Sequence, residues 1–149
     1  MTKKFNIYEM KLKQLFMEDF PQRFNDDEFI QARAAMALDA FMQADRNGID
    51  VDTAEHIANE VLYAGLQFSL FKEYVYIIDE IAPKMDEEDE RVLAVELMEQ
   101  DKQIYEKYTF TDDFRGTQDY VELYNTLKPR IRDYMIEHGI IQQDASARW

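Results

Sequence analysis

The chain has no cysteine among its 149 residues. That absence excludes disulfide frameworks, thiolate nucleophiles, cysteine-ligated zinc and iron–sulfur clusters together, and it fits a reducing compartment. Glycine and proline are scarce as well, at four and three residues, so there is no glycine-rich loop to cradle a phosphate. Long apolar runs are missing too. The longest, Tyr74 to Ile78, falls far short of the roughly 20 residues a membrane-spanning helix needs. Met1-Thr2-Lys3-Lys4-Phe5-Asn6 carries bases with no apolar stretch behind them, so no secretory signal is expected. The expectation is a cytoplasmic protein with no membrane association.

Positive charge is the last deficit. Lys and Arg number 17 against 31 Asp and Glu, a formal charge of −14. Between Asp79 and Asp101 ten acids stand against Lys84 and Arg91, so that segment alone holds −8. Such a field repels phosphate backbones, and direct nucleic-acid binding is not expected.

What is present is apolar mass. Ten Phe, nine Tyr and eight Met are too much for a solvated, disordered chain. At about 150 residues a chain buries roughly 70% of its unfolded surface without metal or disulfide staples, and one domain is the default. Helical periodicity runs through most of it. Ala54, Ile57, Ala58, Val61, Leu62 and Gly65 follow the i, i+3, i+4, i+7 pattern, as do Phe71, Tyr74, Val75, Ile78 and Ala82, and Tyr120, Leu123, Tyr124, Leu127, Ile131, Tyr134 and Met135. No stretch alternates long enough to demand a strand. The prediction is an all-α single domain, a bundle of about six helices packed around a central Ala-rich helix. Start and stop signals place the helices at roughly 6–20, 26–46, 53–66, 70–82, 87–108 and 118–138, with a tail over 140–149.

Individual signals set those limits. Asn6 with Glu9, and Asp52 with Glu55, have capping-box spacing. Ser69 is a cap for the fourth helix, which must stop before Pro83. Asn47-Gly48 and His138-Gly139 read as left-handed stops. Helix two carries Ala32, Ala34, Ala35, Ala37 and Ala40 among larger apolar residues, which implies burial on several sides. Pro129 predicts a kink or a break in the last helix. Phe29 to Gly48 and Tyr120 to Gly139 have equal length, but their interiors match poorly, and similar helix lengths account for the likeness.

Three motif-like stretches lead nowhere. Asp45 to Asp52 resembles a calcium loop until Gly48 is set at the sixth position, which puts Gln43 first and Ala54 twelfth, without either required anion. Ser69-Leu70-Phe71-Lys72 has the Ser-x-x-Lys spacing of penicillin-recognising enzymes but none of their other elements. His56 and Glu60 are spaced i, i+4, with no His-Glu-x-x-His or Glu-x-x-His to complete a metal site. No metal and no cofactor are expected.

Two features stay open. The acids Asp86, Glu87, Glu88, Asp89 and Glu90 suit a solvated helix start, because a helix N-terminus favours negative charge; they equally suit a contact face for a basic partner. Aromatics gather at two junctions: Tyr63, Phe68, Phe71, Tyr74 and Tyr76, then Tyr105, Tyr108, Phe110, Phe114, Tyr120 and Tyr124. Most read as core, but Tyr76 faces away from the Phe71/Tyr74/Ile78 stripe and is a candidate contact.

The residues at these junctions, Phe29-Ile30-Gln31-Ala32-Arg33-Ala34, Asn59 to Ser69, Tyr108 to Phe114, Tyr120 to Tyr124, and Gly139, carry a resemblance. Over roughly residues 5–141 the chain resembles a family of small proteins found mainly in Bacteroidetes and classed as domain of unknown function 1896. The resemblance implies an all-helical fold and, loosely, carriage on mobile elements. It implies no activity, substrate or catalytic residue. The chain departs from the family pattern at Gln67, where the family has His, and at Leu127-Lys128-Pro129, where it has Leu-Thr-Gly. Neither point therefore carries a polar role shared with the family.

The leading expectation is a non-enzymatic interaction or regulatory protein that offers Asp86, Glu87, Glu88, Asp89, Glu90 and Tyr76 to a protein partner, basic in character. The alternative is an enzyme or small-molecule binder with His56, Glu60, Tyr63 and Gln67 lining a pocket near the helix three–four junction. A third is a DNA-mimicking inhibitor built on the same acids. A homodimer is a base-rate expectation for a bundle of this size.

Overall fold

A computed structural model of the chain describes the backbone of residues 2–142 and the side chains from residue 7 onward. Among the described residues there are seven α-helices and no strand: α1 (Thr2–Asp19), α2 (Asp27–Arg46), α3 (Val51–Leu62), α4 (Leu70–Ile81), α5 (Glu87–Gln100), α6 (Lys102–Tyr105) and α7 (Gln118–Glu137). The all-helical expectation holds. The expected tail lies outside the described residues from 143 on. The chain divides into two compact units, Met1–Gln67 and Phe68–Trp149, each with its own apolar cluster.

In the first unit α2 packs on both α1 and α3. Ile30, Ala34, Ala37 and Leu38 meet Tyr8, Leu12 and Phe16 of α1 and Ala58 and Leu62 of α3 in one cluster. The alanines on this stripe let the flanking helices come close. Ala32, Ala35 and Met36 lie on a different face of α2 and are exposed, so burial follows two flanks of the helix, not its whole circumference. Arg33 fastens the C-terminal end of α3. Its Nη1 donates to the carbonyls of Ala64 (2.6 Å), Leu62 (3.2 Å) and Val61 (3.3 Å), groups that a helix end leaves without intrahelical donors. A cation there also opposes the negative end of the helix dipole.

Some helix starts differ from the sequence signals. α1 begins at Thr2, upstream of Asn6, so Asn6 lies within the helix; its side chain lies outside the described residues. α3 is capped by Asp50, whose carboxylate accepts from the Thr53 N–H (3.1 Å) and hydroxyl (2.8 Å), and Asp52 falls in its first turn. Glu55, the other half of the expected capping box, instead accepts a hydrogen bond from the Tyr8 hydroxyl. Ser69 does cap α4, its Oγ accepting from the Lys72 N–H at 3.0 Å.

In the second unit α4 packs against α5 and α7. Their core is Phe71, Tyr74, Ile77 and Ile78 with Leu93, Ala94, Leu97, Leu123, Leu127, Ile131 and Met135. The fifth helix expected to reach residue 108 stops at Gln100, because Asp101 turns inward at 2% exposure and breaks the run. The short α6 follows. The 3-10 turn Phe114–Gly116 leads to Thr117, whose Oγ1 caps α7 by accepting from the Tyr120 N–H at 3.2 Å. α7 runs without a break through Pro129. The buried stripe on both sides of the proline, Leu123 and Leu127 before and Ile131 and Met135 after, holds the helix together against the lost donor and the ring clash. Calcium-type chemistry at Asp45 to Asp52 gives way to a turn: Gly48 has φ 78°, and Ile49 N–H bonds back to the Ala44 carbonyl at 3.0 Å.

Two outcomes follow from this packing. Pro129→Ala restores a helical donor and should raise the stability to chemical denaturation by about 1 kcal/mol. Asp101→Ala should lower it by about 3 kcal/mol, since it leaves Arg130 and the buried Tyr74 hydroxyl without their acceptor.

Candidate functional site

The expected contact acids sit where α4 hands over to α5. Pro83 requires Ala82 to leave the helical region, and α4 ends there, with Ala82 at φ −131°. The chain turns through Lys84 and Met85 and starts α5 with Asp86 in extended conformation at the N-cap. The Asp86 carboxylate makes no side-chain cap hydrogen bond. Asp86, Glu87, Glu88 and Asp89 are all exposed, and the positive end of the helix dipole favours their charge. Beside them an open groove of about 960 Å³ is lined by Pro83, Met85, Asp86, Asp89, Ile140 and Ile141, among others. Tyr76 is 49% exposed and stands one turn before Asp79 on α4.

Glu90 is a correction. It belongs to the expected contact set, but it is 5% exposed and faces the core with Leu93, Ala94 and Leu97. Its register explains this: positions 90, 93, 94 and 97 form one helical stripe, a signal the run of acids around it conceals. The carboxyl shares a hydrogen bond with that of Asp79, and its Oε2 is buried without a partner. Burial, then Asp79, then Glu87 push its pKa up from 4.5 to about 7.

Two other buried acids are handled differently. Glu73, 1% exposed, accepts from Arg115 Nη2 at 2.6 Å and from the Tyr120 hydroxyl at 2.7 Å. Asp101 accepts from the Tyr74 hydroxyl (2.8 Å) and from Arg130 through Nε (3.0 Å) and Nη2 (2.8 Å). Burial and the adjacent carboxylates raise Tyr74 and Tyr120 above the usual phenol range, so both stay protonated donors. These networks tie α4 to the 3-10 turn, the α5 end and α7, and each buried carboxylate has its donors. Sequence reasoning missed them, because nothing in the spacing of Glu73 and Arg115, or of Asp101 and Arg130, links the partners.

The four residues of the pocket reading lie on α3 and in the turn that follows it. His56 and Glu60 form a 3.5 Å pair on α3 with side chains 75% and 69% exposed. Gln67 is exposed and Tyr63 half-buried, and none of the four lines the groove beside α5. His138 ends α7, its Nδ1 2.9 Å from the Tyr134 carbonyl. Among the described residues no three His, Asp or Glu side chains are grouped to hold a metal ion, and no helix is long and apolar enough to cross a membrane.

Phe68 of the first aromatic group joins rings of the second, while Tyr63 packs against the first unit's own cluster. Phe68 stacks on Phe110 with centroids 5.4 Å apart and lies 4.8 Å from Phe114, with Tyr120 at 6.2 Å. The guanidinium of Arg115 lies over Tyr120 at 5.3 Å and 6.0 Å from the exposed Tyr76 ring.

These features define a small all-helical protein with buried carboxylates in its second unit and a run of exposed acids at the start of α5. The chain belongs to the family described as Domain of unknown function (DUF1896), which matches residues 1–140. It is similar to protein PG0816 from Porphyromonas gingivalis, known from a crystal structure: 31% identity, TM-score 0.78, covering 93% of this chain and 94% of that one. No curated protein matches the chain. The segments that carry the family resemblance have structural work in this chain. Arg33 stacks on Phe29 at 4.7 Å while it caps α3, and Phe110, Phe114 and Tyr120 build the aromatic cluster. Lys128 donates to the Tyr124 hydroxyl at 3.2 Å and pairs with Glu80 at 3.5 Å.

The state of Glu90 has a measurable sign. A carboxyl that holds its proton more tightly folded than unfolded makes stability fall as pH rises. The fall begins near 4.5 and is complete above about 7. Glu90→Gln should remove this slope from thermal melts across that window and stabilise the protein at higher pH by at least about 1 kcal/mol.

Proposed function

We propose that this chain is a non-enzymatic interaction protein that presents the start of α5 to a basic protein partner. The observation that carries the reading is the run Asp86, Glu87, Glu88 and Asp89, four consecutive exposed carboxylates, with Asp86 uncommitted at the cap and a groove alongside that Lys84, Asp86 and Asp89 line together with Met85, Ile140 and Ile141. Exposed charge of one sign steers an oppositely charged partner and sets the salt dependence of its binding. The apolar positions Met85, Ile140 and Ile141 offer the area that charge alone does not supply. Tyr76, exposed on α4, is a further candidate contact, since tyrosine is favoured at interfaces. Glu90 belongs to the support of this face and not to its surface.

The test is capture from native-host lysate at low and high salt. Proteins held at low salt and released at high salt should fall about tenfold on the variant Glu87→Lys/Glu88→Lys. They should be held unchanged by Asp39→Lys/Asp45→Lys, which alters net charge equally on exposed positions of the first unit. Equal loss on both variants, or loss on neither, removes the reading.

A further inference from the structure

Among the described residues, Glu90 is a buried acid of the α4–α5 contact whose carboxyl is partnered by another acid, Asp79. Among the described residues the charged groups that act on it are Asp79, from the helix packed against α5, and Glu87, from its own first turn. Both are acids and both are exposed, while Glu90 is 5% exposed with Oε2 unpartnered. A carboxyl so placed keeps its proton to a higher pH than an exposed one, the proton being shared across the hydrogen bond to Asp79. A cation arriving at the exposed side of this cluster reverses the balance, because opposite charge nearby favours the ionised form.

We propose that an arginine or lysine of a basic partner seats on Asp79 and Glu87 and displaces the Glu90 proton to solvent, so that docking on this face is coupled to proton release. The bound state then holds the ionised Glu90 behind the two exposed carboxylates that seat the partner cation, and the released proton goes to the buffer. The inference rests on the interaction reading above and adds what that reading lacks: a defined seat for one cationic side chain and a pH dependence of binding.

The probe is nona-arginine, whose guanidinium groups do not titrate in the working range. Calorimetric titration at low salt, in buffers of different ionisation heat, gives the affinity and the number of protons released. The wild-type chain should bind about tenfold more tightly at about pH 8 than at about pH 6 and release protons. Glu90→Gln, which keeps a hydrogen-bonding group toward Asp79, should bind without the part of that dependence due to Glu90. The Glu90 carboxyl signal, followed by NMR in the wild-type chain, should titrate at a lower pH when the peptide is present. Binding with the same pH dependence in both proteins, or an unmoved Glu90 signal, overturns the inference and leaves the interaction reading intact. No binding by the wild-type chain at low salt overturns both.

Discussion

A carboxylate withdrawn from water must be met by donors or by a proton, and the second unit is organised by how the three buried acids among its described residues meet that requirement. Glu73 is met by Arg115 and Tyr120, and Asp101 by Arg130 and Tyr74. In each case the donors come from elements distant in sequence, so satisfying one charge also fixes the position of a helix or a turn. Such pairs add little net stability compared with apolar replacements, but removal of one partner is costly because the other stays buried. Glu90 has no such donor, and its neighbours are acids. The same constraint therefore gives a rigid join at two places and a proton-dependent one at the third.

The first unit depends on a related need, the unpaired carbonyls at the end of α3. Arg33 reaches them from α2 and lies across Phe29, so one side chain joins a helix end, a neighbouring helix and the apolar cluster. This accounts for the family resemblance in physical terms. The segments that carry it are those that end helices and fill the space between them: Arg33 with Phe29, the Gly65 turn at φ 79°, and the Phe110–Phe114 aromatics against Phe68. A resemblance carried by packing and capping residues specifies a fold without specifying a reaction.

Much of the fold was legible in the chain. Apolar spacing of three and four residues located four of the helices, start and stop signals placed two more, and Ser69, Gly48 and Gly139 marked limits through conformations that need no partner far away. Other signals were present but ambiguous. Asp50 and Asp52 both stand before the third helix, and the choice of Asp50 depends on the Thr53 hydroxyl and on Tyr8 drawing Glu55 away. Proline in a helix is locally unfavourable, yet a stripe buried on both sides of Pro129 outweighs it. Glu90 was concealed for the opposite reason: its neighbours announce a solvated helix start, while its register with Leu93, Ala94 and Leu97 places it inside.

The sequence by itself determined the helical class, the surplus of negative charge and its concentration before and along α5, because periodicity and net charge are properties of residue order and composition. Only the tertiary structure decided which acids face water, which arginine answers which carboxylate, and which carboxyl must keep its proton. Those outcomes depend on distances between helices far apart in the chain, and on the removal of water between them, neither of which residue order expresses.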